Sequence, residues 1–167
     1  NGEVLTLVPD LYTSWHAGIS SWKKFKFLNK NSIGIEITNP GHQFNYKKFT
    51  NEQIKSIISL SRYLMLKYKI KSENVLGHSD IAPKRKKDPG EKFYMNKLQI
   101  NRFANISPSK KNYTITELLE IYGFNKSYIK RYKNLCIMAV KRTLNYKKIS
   151  PYVSKKFYFD FYNLLFN

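Results

Sequence analysis

Apolar and polar positions alternate, then cycle, then fall silent along this chain, and the changes of period mark its elements. Residues 4–8 (VLTLV) form a short apolar run after an Asn-Gly-Glu turn, which predicts a strand. Residues 11–22 carry both tryptophans with no clean period and read as a loop. Residues 32–38 (SIGIEIT) alternate strictly, with Ile33, Ile35 and Ile37 on one face and Gly34, Glu36 and Thr38 on the other, so a second strand is predicted. NPGHQ then breaks the run with a turn. The period changes at Thr50, which with Gln53 makes a capping box. Ile54, Ile57, Ile58, Ser61, Met65 and Tyr68 follow on one helical stripe. NVLGH (74–78) predicts a third short strand. The order strand, helix, strand points to an α/β layer.

Beyond residue 90 the pattern turns helical. Residues 91–112 read as a mixed connector, with SPSKKN (107–112) as the linker. TITELLEIYGF has a Thr cap and a Gly near its end. The next stretch places Ile129, Tyr132, Leu135, Cys136 and Ala139 at helical spacing, and an aromatic segment after Pro151 predicts a last helix. The expected organisation is a first domain over 1–106, a linker over 107–112 and a small all-helical domain over 113–167. A tail of that size is near the lower limit for an independent core.

Composition changes this picture little. Hydrophobic residues make up 42% of the 167, enough for a packed core and against disorder. No run approaches the roughly eighteen apolar residues of a membrane span, and no signal peptide precedes the first strand-like segment. The first residues open directly into a turn and a strand, as if in mid-fold. Thirty Lys and Arg against 11 Asp and Glu give +19. The cations are mostly Lys and dispersed, which argues against a nucleic-acid binder, where clustered Arg and stacking aromatics are expected. An anionic polymer of another kind fits. The single Cys136 excludes an internal disulfide and a Cys-rich zinc site.

Candidate chemistry gathers in GHSDIAPKRKKDPG (77–90). His78 and Asp88 are both suitable zinc ligands, although a loop histidine and a turn aspartate are the plain alternatives. If 86–88 are extended, Lys86 projects to the same side as Asp88, where an oxyanion would develop beside a metal. Asp80 reads as a turn or cap residue. Glu36 is either a solvent-facing strand residue or, if its face borders the site, a base able to take a proton from water. WHAG (15–18) is either core and turn, or part of a sugar or peptide groove. His42 reads as structural or solvated.

Taken together, WHAGISSW, NSIGIEITNPG and ENVLGHSDIAPKRKKDPG resemble the zinc-dependent N-acetylmuramoyl-L-alanine amidases of type 2, which share a fold with the phage-lysozyme amidases and the peptidoglycan-recognition proteins. The likeness covers about positions 2–98. The tail more loosely resembles the helical domain that follows the catalytic domain in AmiD-like members. The resemblance implies a mixed central β-sheet flanked by helices, incomplete at its N-terminus, plus the small all-helical C-terminal domain. It implies Zn2+ held by His78 and Asp88, with a third ligand, a histidine, on a strand upstream of residue 1. Glu36 would be the base, Lys86 would stabilise the tetrahedral intermediate, and Trp15, His16 and Ala17 would line the muropeptide groove. The implied reaction is hydrolysis of the amide between N-acetylmuramic acid and L-alanine, by a monomer acting on peptidoglycan or muropeptides in the bacterial envelope. The implied place there is the periplasm, with an outer-membrane anchor upstream as one form, and the cytoplasm is the alternative. With only two ligands, a peptidoglycan-binding module of impaired catalysis is the alternative function, and weak, substoichiometric zinc binding is expected.

Overall fold

The structure, a computed structural model, describes residues 1–98, 107–109 and 112–166. Its one ladder among the described residues is a small antiparallel hairpin, β1 (Ser21–Trp22) and β2 (Phe25–Lys26), with Trp22 opposite Phe25. The helices are α1 (Leu28–Asn31), α2 (Asn51–Tyr68), α3 (His78–Ile81), α4 (Ile115–Tyr122), α5 (Lys126–Thr143) and α6 (Lys155–Phe166).

The helix expectations match these elements closely. Thr50 accepts from the Gln53 N–H and the Gln53 side chain accepts from the Thr50 N–H, so the capping box that starts α2 is formed. Its buried stripe is Ile57, Ser61 and Leu64. The same device starts α4, where Thr114 and Glu117 cap each other. Asn125 caps α5 by accepting from the Tyr128 N–H at 2.8 Å. Gly123 ends α4 at φ +143°, and a Cβ there would stand 2.6 Å from the Trp22 ring, so the position suits glycine twice over.

The three strand expectations need correction at the level of local structure. Residues 4–8 and 32–38 join no sheet, and of 74–78 Asn74 ends a 3-10 turn (Ser72–Asn74), 75–77 are irregular and His78 starts α3. Alternation specifies which side chains share a face, but a ladder also needs paired backbone groups, and among the described residues the one ladder is β1 with β2. Ile33 and Ile35 accordingly stay 38% exposed. The hairpin instead forms across the end of the stretch read as loop. Residues 99–106 of the connector lie outside the described residues, as do Lys110 and Lys111 of the expected linker.

The main core is built by α4, α5 and α6 through Leu118, Leu119, Ile129, Cys136, Val140, Phe157, Phe161 and Leu165. Ala17, Trp22 and Leu28 from the N-terminal region belong to the same cluster. Trp22 meets Tyr122 edge-on at 5.4 Å between ring centroids and Phe124 at 6.2 Å. A second, smaller cluster of Ile57, Phe93 and Met95 packs under α2. The loop 77–90 lies between the N-terminal region and the tail helices, and it carries the candidate site.

Candidate active site

Gly77 has no room for a side chain, because a Cβ there would stand 2.8 Å from Pro89 Cδ. The close approach folds the two ends of the loop together. Ser79 N–H donates to the Asp88 carbonyl at 2.9 Å, and Tyr46 Oη donates to the Pro89 carbonyl at 2.6 Å. Gly90, at φ +83°, passes so close to Tyr46 and His42 that a Cβ would stand 2.7 Å from the Tyr46 hydroxyl and from His42 Cε1. His42 also pairs with Glu91 at 3.0 Å.

This geometry brings His78 and Asp88 side by side, with Nδ1 3.0 Å from Oδ2. His78 Nε2 faces the Ala17 carbonyl at 3.3 Å. Burial pushes the Asp88 carboxyl up, but the hydrogen bond and charge of His78, and the charge of Lys86, hold it below the usual carboxylate range. Lys86 is thus near enough to act on Asp88 through its charge.

The residues of segment 15–18 have three different surroundings. Trp15 is 90% exposed. His16 is pinned by Ser14 Oγ at 2.8 Å on Nδ1 and Ser32 Oγ at 2.9 Å on Nε2, and its ring lies against Gly34. Burial and the nearby His78 keep its pKa low despite the Ser14 carbonyl, so it is neutral at neutral pH. Ala17 is buried, at 1% exposure, and meets the site through its carbonyl. Glu36 is exposed, two residues beyond Gly34 on the segment that backs His16.

One residue of the site escaped the sequence reading and another was read only in part. Arg85 lay hidden in the run KRKK, yet its guanidinium donates to the Ala17 and Ile19 carbonyls at 3.0 Å each and fastens 15–19 to the loop. Asp80 is a cap, since its carboxyl accepts from the Gly77 N–H at 2.9 Å, but it is also fully buried and bonded to the tail helices.

The pair His78–Asp88 can be tested against a zinc ion. Two tetrahedral ligands each about 2.0–2.2 Å from one zinc stand roughly 3.4 Å apart, and the observed 3.0 Å is within a small side-chain adjustment of that. An imidazole nitrogen and a carboxylate are also the right donor types. They make two ligands. No group of three His, Cys, Asp or Glu that could hold a metal occurs among the described residues.

Residues 1–91, more than half the chain, match the sequence model of a family described as N-acetylmuramoyl-L-alanine amidase. The chain is similar to N-acetylmuramoyl-L-alanine amidase AmiD of Escherichia coli, with 46% identity over 92 residues, which is 52% of this chain and 33% of that protein. It is also similar to the 1,6-anhydro-N-acetylmuramyl-L-alanine amidase AmpD of Enterobacter cloacae, with 37% identity over 93 residues, 56% of this chain and 48% of that one. It thus spans half or less of the curated relatives it matches. Among solved structures, AmiD from E. coli in complex with anhydro-N-acetylmuramic acid-L-Ala-D-gamma-Glu-L-Lys superposes with a TM-score of 0.79 at 30% identity, over 98% of this chain and 72% of that one. AmpDh3 from Pseudomonas aeruginosa does so with a TM-score of 0.77 at 25% identity, over 96% and 71%. The expected fold class is therefore found in the whole backbone course, helical tail included, even though the local strand pairing is sparse.

Proposed function

This chain belongs to the N-acetylmuramoyl-L-alanine amidase family, and from that membership we propose that it hydrolyses the amide between N-acetylmuramic acid and L-alanine in peptidoglycan or muropeptides, with Zn2+ as its metal. The observation that carries the reading is the 3.0 Å approach of His78 Nδ1 to Asp88 Oδ2 within the matched residues. His78 and Asp88 would hold the zinc, with a third protein donor needed to complete the site. When bound, the metal supplies a water acidic enough to be a nucleophile near neutral pH.

The chain's own residues do the rest. Glu36 is the carboxylate that takes the proton from the attacking water and returns it to the departing alanine nitrogen. As the water oxygen bonds to the lactyl carbonyl carbon, the C–N bond breaks, leaving a carboxylate and a free amino terminus. Lys86 offers its ammonium to the carbonyl oxygen as charge develops there. His16, neutral and fixed by two serines, lines the groove with exposed Trp15, and the Ala17 carbonyl and Arg85 set the groove's floor against the loop. A net charge of +19 attracts a wall polymer bearing peptide carboxylates. Action in the bacterial envelope, on its periplasmic side, accords with this substrate, and cytoplasmic turnover of muropeptides is the alternative location.

The test is incubation of purified muropeptides with the protein, with and without added Zn2+ and a chelator, reading L-alanyl peptide release by mass spectrometry. Zinc-dependent release lost in His78→Ala supports the proposal, and Glu36→Gln is expected to lose about 10²–10⁴-fold. The two-donor count favours one second reading, a peptidoglycan-binding module of impaired catalysis. It predicts muropeptide binding with no release at saturating zinc.

A further inference from the structure

The loop that carries His78 and Asp88 is held from behind by the tail helices. Asp80 sits two residues after His78 and is fully buried. Its Oδ2 accepts from the Gly77 N–H at 2.9 Å, which closes the turn in front of His78. Its Oδ1 accepts from Tyr122 Oη at 2.6 Å and from Thr143 Oγ1 at 3.2 Å. These hydroxyls lie 3.1 Å apart, at the C-terminal ends of α4 and α5 respectively. A carboxyl group without such donors is costly to bury, so the two hydroxyls fix where Asp80, and with it the Gly77–Asp80 turn, can sit.

The same helices touch the loop elsewhere. Lys84 N–H donates to Tyr128 Oη at 3.1 Å, and Lys84 Nζ lies 5.2 Å from the centre of the Tyr132 ring. Asn145 Nδ2, just past α5, donates to the Glu91 and Phe93 carbonyls at 3.0 and 2.8 Å. The tail therefore contacts the chain within the stretch that joins the two candidate ligands and again just after it.

We propose that Tyr122 and Thr143 of the tail helices are positioning residues for the candidate metal site, acting through Asp80 to hold the turn that aims His78 at Asp88. The tail on this reading is a brace for the site. The inference rests on the metal reading only for its second measurement.

The first measurement is backbone amide exchange in the full chain without metal. Thr143→Val and Tyr122→Phe remove the hydroxyls at nearly constant volume. Each is expected to raise exchange at Gly77 and Ser79 by roughly tenfold. Thr143→Ser, which restores a hydroxyl, is expected to stay near wild type, and Ile137→Val, a comparable loss in the same core without a hydrogen bond, is expected to leave Gly77 and Ser79 within twofold. The second measurement is titration with Co2+ alone, in which Thr143→Val and Tyr122→Phe weaken the affinity by about 10–100-fold, the range for residues supporting a ligand. Equal loosening by Ile137→Val, or exchange unchanged in both hydroxyl variants, overturns the brace. If wild type shows no Co2+ binding that His78→Ala abolishes, the metal reading fails, and the exchange data alone decide the positioning role.

Discussion

Gly34→Ala tests how His16 is held. No unusual backbone conformation protects this glycine, so alanine meets no strain of its own there. It meets His16 instead. An alanine Cβ would stand within 2.6 Å of the His16 Cβ, Cγ and Cδ2. Carbon atoms normally pack at about 3.5–4.0 Å, so the shortfall is about 1 Å on three atoms at once. The His16 ring must swing away, and it then loses the bonds to Ser14 Oγ and Ser32 Oγ. At about 0.5–1.5 kcal/mol each, the two bonds set a cost of roughly 1–3 kcal/mol. In a chain of this size that is a fall of about 2–12 °C in Tm. Thermal unfolding followed by circular dichroism reads it. A double-mutant cycle with His16→Gly, which removes all three clashing atoms, assigns it: Gly34→Ala should cost under about 0.5 kcal/mol in that background. Equal cost in both backgrounds, or a Gly34→Ala protein as stable as wild type, would refute the claim that His16 occupies the space above Gly34.

Three further outcomes follow from the packing. Phe161→Ala should destabilise by about 3–5 kcal/mol, read by denaturant unfolding, because Phe161 is fully buried against Tyr122 and Phe157. Arg85→Ala should speed amide exchange at Gly18, measured by NMR, since it removes the guanidinium from the Ala17 and Ile19 carbonyls and leaves the 15–19 segment tied through Asn29, Ser32 and His78. Burial pushes the Cys136 thiol up to about 12, so it should resist a thiol reagent at pH 8 until the protein unfolds. The native state then holds a proton that the unfolded chain releases near pH 9. Cys136 thus contributes stability below pH 9 that is lost as pH rises toward 12, by at most about 1.4 kcal/mol per pH unit, measured as denaturation midpoint against pH.

Helices were legible here because their signals are local. Thr50 with Gln53, and Thr114 ahead of an apolar run, announce their caps within four residues, and the structure forms both boxes. Strands depend on neighbours, so the alternation at 32–38 correctly groups the isoleucines yet says nothing of whether a ladder forms. The pairing of His78 with Asp88 came from the family resemblance of the loop's wording, and the close approaches at Gly77 and Gly90 show how the fold achieves it. Arg85 was not, because a guanidinium that bonds two carbonyls and one that faces water look the same within a run of cations. Asp80 was half legible. Its capping role is local, but its partners Tyr122 and Thr143 lie 42 and 63 residues away, and no local pattern announces them.

Trp22 has a consequence for anyone dividing this chain. Its indole is sandwiched into the tail's aromatic cluster, against Tyr122 and Phe124 and over Gly123. A cut after the family-matched residues would strip that indole bare and hand the expression host a sticky fragment. A transplanted tail from a relative would have to bring a glycine at the contact point and leave the indole its berth. The two stretches are therefore better treated as one inheritance than as interchangeable modules.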